Sequence, residues 1–211
     1  MRPPETWQRA RTTLVIAAVT ALAWLLVTGA EAGQAAAVWG GFIPARFHSP
    51  GWEGLPVWLT PLSATLVHGS FPHLLFNLLM LLFCGRAVEG IIGPVGLAIL
   101  YAVGAYAAAG AYYLAGPSAP DVMIGASGAI SAVLGAYAIL FGRNKVKLAN
   151  PRLALWVHAL WLGAAWVGLQ LLTGYAFATG GPRVAISAHI GGFIVGLVLA
   201  KPLLLLRYRR A

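Results

Sequence analysis

The sequence predicts an all-helical protein whose solvent is a lipid bilayer, and three observations carry that prediction. Of its 211 residues, 60% are apolar and 9% charged, against about 45–50% and 25% in an average soluble domain. The apolar residues fall in continuous rather than alternating runs, each longer than the roughly 9–11 residues of a membrane-barrel strand. The basic residues, moreover, cluster between alternate runs. Fourteen basic and five acidic residues are too few to solvate a globule of this size.

Six apolar stretches follow one another at 12–28, 71–92, 95–114, 124–141, 153–172 and 184–206. At about 20 residues per crossing each fits one span, so residues 1–211 read as a single six-helix membrane domain without a separate soluble part. Around the first span, the basic start, the apolar 14–27 and the small residues Ala30-Glu31-Ala32 also fit a cleavable secretory signal, whose loss would leave five spans in unchanged orientation. The segment 29–70 carries Pro44, Pro50 and Pro56 as breakers, with Trp39, Phe42, Phe47, Trp52 and Trp58 among few charges. Aromatic residues at that density prefer the headgroup level, which predicts an external loop lying partly in the outer leaflet. The second span is interrupted by Arg86 and Glu89. The fourth and sixth carry small residues at every fourth position, Gly128, Ala132 and Ala136 on one and Gly192, Gly196 and Ala200 on the other, the spacing that lets helix backbones approach closely. Cys84, the single cysteine, sits inside an apolar run and reads as a buried structural thiol; an internal disulfide is excluded.

The net charge of +9 would suggest nucleic acid in a soluble protein, but here it marks a face. Arg2, Arg9 and Arg11 precede the first span, Arg86 lies within the second, Arg143, Lys145, Lys147 and Arg152 join the fourth and fifth, and Lys201, Arg207, Arg209 and Arg210 end the chain. Only Arg46 and Arg183 fall on the other side, so the positive-inside rule places both termini in the cytoplasm.

Polar groups inside spans are costly and are functional candidates by default. Here they are few. The second span opens with His73 and Asn77, one helical turn apart on a shared face; the fourth opens with Gly125-Ala-Ser127-Gly128; the sixth opens with Ala188-His189. These three spans run the same way, so His73, Asn77, Ser127 and His189 lie in one leaflet, at the external ends. If the small-residue stripes face each other, Ser127 and His189 come within hydrogen-bonding range. A serine hydroxyl needs a base to become a nucleophile, and a neutral imidazole is the usual one. Of the five acids, Glu5 and Glu89 fall on the cytoplasmic side, Glu31 and Glu53 in the external loop, and Asp121 six residues before the serine, so a Ser–His dyad is favoured over a triad. The Ser127 backbone N–H, the Asn77 amide and His73 are the candidate oxyanion donors.

With these residues the chain resembles the rhomboid family of intramembrane serine proteases, from about His68 to Leu199. The resemblance rests on HxxxN at His73–Asn77, the Gly85–Glu89 segment, GxSG at Gly125–Gly128 and AHxxGxxxG at Ala188–Gly196. It implies a six-helix core, a Ser127–His189 dyad, an oxyanion hole using His73 and Asn77, transmembrane protein substrates cut near their outer ends, and neither metal nor cofactor. Two positions depart from the family pattern. Ser131 stands where many members carry an aromatic residue that packs on the catalytic histidine, which bears on how His189 is oriented. Trp58-Leu59-Thr60 stands where many carry Trp-Arg before the second span, which bears on how the external loop is anchored.

Taken singly, each residue has a plainer role. A serine beside glycines packs helices, a lone histidine in a span bonds a neighbouring helix, and His68 and His158 read as structural. A zinc site built on His68 and His73 fails for want of the HExxH pattern on one helix face. The combination points to an intramembrane serine endopeptidase. The alternative is a catalytically silent rhomboid-like protein that binds transmembrane helices; a transporter ranks last, because the cytoplasmic halves of the fourth and sixth spans are apolar or small. The expected partners are transmembrane substrates and the bilayer, not nucleic acid, and the expected location is a bacterial inner membrane.

Overall fold

In hydrocarbon a backbone N–H or C=O finds no water, so a long apolar run satisfies those groups within itself by becoming helix. The computed structural model describes residues 10–48, 51–142, 150–177 and 186–209, and the described chain is all-helical apart from one isolated antiparallel pairing of Phe42 with Met123. Its helices are α1 (Arg11–Gly29), α2 (Gly33–Gly40), α3 (Thr60–Ser63), α4 (Phe71–Met80), α5 (Arg86–Ala115), α6 (Ser127–Phe141), α7 (Pro151–Phe177) and α8 (Ile186–Tyr208). One π-helical turn, Leu81–Gly85, joins α4 to α5. Arg2, Glu5, Arg9, Pro50, Arg143, Lys145, Lys147, Arg183, Val184 and Arg210, which enter the sequence argument, lie outside the described residues.

Four described segments are long and apolar enough to cross a membrane: Arg11–Gly29, Phe71–Ala115, Pro151–Leu169 and Ile186–Tyr208. The second, 45 residues long, is not straight. Gly93 takes φ 80°, ψ 169° ahead of Pro94, so the chain breaks between the stretches expected as the second and third spans. The stretch expected to be helical from residue 124 begins its helix only at Ser127. At about 1.5 Å per residue its 15 residues cover roughly 22 Å, short of a hydrocarbon core of about 30 Å. The missing turn is spent on a bent, tethered approach to Ser127. Bare apolar side chains on the outside, such as Val15 60%, Val95 70%, Leu160 68% and Leu205 70% exposed, are what a lipid-facing surface requires.

The segment 29–70 is folded rather than a plain loop, with α2, a 3-10 turn Pro44–Phe47 and α3. Trp39, Phe47, Trp52 and Trp58 are exposed, but Phe42, expected beside them at the headgroup level, is buried. It bonds Met123 in both directions through the backbone, at 3.0 and 2.8 Å.

Helix α6 is the centre of the bundle, packed by α5, α7 and α8. A Cβ placed on Gly192 would collide with the Gly128 carbonyl oxygen, one on Gly196 with that of Ala132, and one on Gly135 with that of Phe193. On the opposite flank Gly104 meets Ala132, and Gly128 meets Ala108 of α5. Three helices thus cross at backbone distance, as small residues permit.

The far end of the bundle is held by a buried carboxylate. Glu89 is 1% exposed and accepts from Thr12 N at 2.9 Å, Thr13 N at 2.8 Å and Thr13 Oγ1 at 2.6 Å. These are free donors at the start of α1, where the helix dipole also favours negative charge. Arg207 closes the same end by donating to the Glu89 and Gly90 carbonyls at 3.3 and 2.8 Å. Glu89→Ala would strip three donors of their acceptor at about 1–3 kcal/mol for each one left buried. The expected outcome is a clear fall in unfolding temperature in detergent, larger than that for Glu31→Ala on the exposed segment.

Candidate active site

The serine is presented by a short strap that the 29–70 segment and its continuation hold in place. Beyond the Phe42–Met123 pair, Gly125 N–H donates to the Ala64 carbonyl at 2.8 Å, and Ala126 N–H to His68 Nε2 at 3.4 Å. Gly125 itself has φ +105°, a left-handed backbone that favours glycine. A Cβ there would also sit 2.5 Å from Cε1 and 2.6 Å from Nε2 of His73. The imidazole of His73 therefore lies directly on the Gly125 backbone, two residues before Ser127.

Ser127 is the first residue of α6. Ile130 N–H bonds back to the Ala126 carbonyl at 2.9 Å, so the earlier N–H groups of the turn, that of Ser127 included, have no acceptor within the helix. They sit where the helix dipole is positive. Ser127 Oγ lies 2.8 Å from His189 Nε2, a bond between buried side chains 62 residues apart. Among the described residues His189 Nδ1 has no hydrogen-bond partner.

Asn77 is fully buried on α4, and its Nδ2 donates to the His73 carbonyl one turn earlier at 2.9 Å. That uses one of two amide hydrogens. His68, read as structural from the sequence, stands edge-on to His73 with ring centroids 5.0 Å apart and supplies the acceptor for Ala126. Burial, and secondarily the neighbouring His73, lower its pKa from 6.5 to about 3, so the ring stays neutral and able to accept.

Residues 56–206 match the Rhomboid domain family, well over half of the chain. The chain belongs to the rhomboid family. It is 34% identical over 159 residues to rhomboid protease GlpG of Haemophilus influenzae, covering 72% of this chain and 73% of that protein. It is 31% identical over 144 residues to RHOMBOID-like protein 5 of Arabidopsis thaliana, covering 68% of this chain. RHOMBOID-like protein 4 of the same plant is likewise 31% identical over 144 residues. The match spans 43% of the first plant relative and 34% of the second, less than half of each.

The two departures of this rhomboid from the family pattern acquire a physical description. Ser131 Oγ donates to the Ser127 carbonyl at 2.7 Å and accepts from the Trp166 indole Nε1–H at 2.8 Å, and the Trp166 ring stands 6.4 Å from that of His189. The segment near Trp58-Leu59-Thr60 is tied by Arg46, which donates to the carbonyls of Val38, Glu53 and Leu55 at 3.4, 3.3 and 2.8 Å. Tyr106 adds a bond to the Trp58 carbonyl at 2.9 Å. Sequence reasoning passed over Trp166 because it is one aromatic among several in an apolar run, with its partner 35 residues away.

Two outcomes follow from the strap. Gly125→Ala combines a strained φ, worth about 1–3 kcal/mol, with a collision against His73, and should lower the unfolding temperature in detergent more than Gly110→Ala, whose added Cβ meets open space. Because the unfolded chain protonates His68 near 6.5 and the folded chain only near 3, its neutral burial favours the fold above pH 6.5 and loses that advantage as pH falls towards 3. His68→Gln should therefore show a shallower loss of unfolding temperature on acidification than the parent.

Proposed function

We propose that this rhomboid is an intramembrane serine endopeptidase with Ser127 as nucleophile and His189 as general base. The observation that carries the reading is the 2.8 Å bond between Ser127 Oγ and His189 Nε2, formed between two buried groups on different helices. Family membership and the similarity to a relative named as a protease support it.

The chemistry runs as acyl transfer. Ser127 Oγ attacks the scissile carbonyl carbon while its proton passes to His189 Nε2. The oxygen that gains charge is met by the Ser127 backbone N–H at the positive end of α6, by the second amide hydrogen of Asn77 and by the His73 ring. The intermediate collapses with cleavage of the C–N bond, and His189 returns the proton to the leaving amine. Water then gives a proton to His189 and attacks the acyl carbon, and Ser127 departs reprotonated. A dyad rather than a triad is supported by His189 Nδ1, which has no hydrogen-bond partner among the described residues, and by Glu89, the buried acid, which is committed to α1. Gly125 shapes the strap, and Gly128, Gly192 and Gly196 let α8 reach α6.

The reading includes six crossings. The break at Gly93 divides Phe71–Ala115 into two, and α6 serves as a short one inside the bundle. Both termini face the cytoplasm, the 29–70 segment lies outside, and the substrates are transmembrane proteins cut near that face in a bacterial inner membrane.

Labelling by a serine-directed fluorophosphonate and cleavage of a model transmembrane substrate test the reading. Ser127→Ala should abolish both, and His189→Ala alone should cost about as much as the double variant, on the order of 10⁴-fold or more, because the two act as a unit. Asn77→Ala should lower kcat by roughly 10²–10³ with little change in KM. A parent chain that neither labels nor cleaves, beside a competent control enzyme, would instead favour a silent protein that binds transmembrane helices.

A further inference from the structure

We infer that Trp166 is the positioning residue for the His189 imidazole and that Ser131 holds the indole in place, so that α7 supplies the orientation that this site lacks in hydrogen bonds. The inference rests on the protease reading of Ser127 and His189.

An imidazole bonded through one nitrogen alone remains free to tilt about that bond. In a triad the second nitrogen is tied to a carboxylate, but among the described residues His189 Nδ1 has no partner. What limits the ring is therefore packing. Trp166 is 2% exposed, and its ring stands against His189 with centroids 6.4 Å apart and planes inclined at 60°, within the range at which tilted aromatic pairs attract. The indole is itself oriented, because a buried indole N–H needs an acceptor. That acceptor is Ser131 Oγ at 2.8 Å, and the same hydroxyl donates to the Ser127 carbonyl at 2.7 Å. The backing ring of the base is thus indexed to the helix that carries the nucleophile, through two consecutive bonds.

A Cβ built on Gly192 would stand 3.2 Å from Ser131 Cβ, so α8 crosses α6 at that point and the aromatic ring arrives from a third helix. Gly163, one turn before Trp166, brings α7 in: a Cβ there would lie 3.2 Å from the Phe193 ring, and Phe193 is one turn beyond His189.

The test uses the full chain in detergent, with the rate of Ser127 labelling by a fluorophosphonate, kcat and KM on a model transmembrane substrate, and the unfolding temperature of each variant. Trp166→Ala should slow labelling and kcat together by about ten- to hundredfold, the scale of a misplaced reacting group, with KM near that of the parent. Trp166→Phe keeps a ring without the N–H bond and should lose less. Trp166→Ala combined with Ser131→Phe returns an aromatic ring from α6 and should recover part of the lost rate. Parental labelling by both single variants overturns the inference while leaving the protease reading intact. So does a loss in both that only follows their folded fraction, without recovery in the double variant. A parent that fails to label at Ser127 overturns both.

Discussion

Where Gly192 and Gly196 rest on the carbonyl oxygens of Gly128 and Ala132, two helices meet with no side chain between them, and the other features of the site depend on that contact. Lipid tails are as apolar as leucine, so no hydrophobic gain drives such helices together; close packing has to do it. Any Cβ at those positions would push α8 outward. His189, one turn before Gly192 on its helix, would move away from Ser127 by the same displacement, and a hydrogen bond of 2.8 Å has no room for it.

The second constraint acts along α6 rather than across it. Its first residue is Ser127, and the non-helical residues Met123, Gly125 and Ala126 before it are bonded to Phe42, Ala64 and His68. Giving up helix over 124–126 costs intrahelical bonds, and in a low-dielectric setting the freed groups must find partners. They find them in the 29–70 segment, at Ala64 and His68, which is how a peripheral stretch comes to set the height of Ser127. At the opposite end Glu89 and Arg207 hold α1, the break at Gly93 and α8 together. The bundle is therefore pinned at both ends while the glycine contacts decide its middle.

Scarcity of charge shapes the chemistry as well as the solvent preference. With five acids in the whole chain and Glu89 engaged at the far end, the groups that meet His189 are the neutral Ser127 hydroxyl and the Trp166 ring. Neutral groups cost less to bury than ions do, and His68, held neutral by its surroundings, follows the same rule.

The sequence by itself determined the all-helical class, the apolar runs, the few polar groups inside them and the rhomboid motifs. Each of these is a property of neighbours along the chain, read from a period or a spacing of a few residues. It also showed that His73, Asn77, Ser127 and His189 lie near the same ends of their segments. Only the tertiary structure decided that α6 starts at Ser127, that Phe42 turns inward, that Arg46 ties the 29–70 segment and that Trp166 stands beside His189. Most of those outcomes join residues distant along the chain: Phe42 with Met123, Trp166 with Ser131, and Trp166 with His189. Nothing local marks one tryptophan in an apolar run as the one a distant serine will hold; that depends on how three helices cross, which small residues permit but do not by themselves specify.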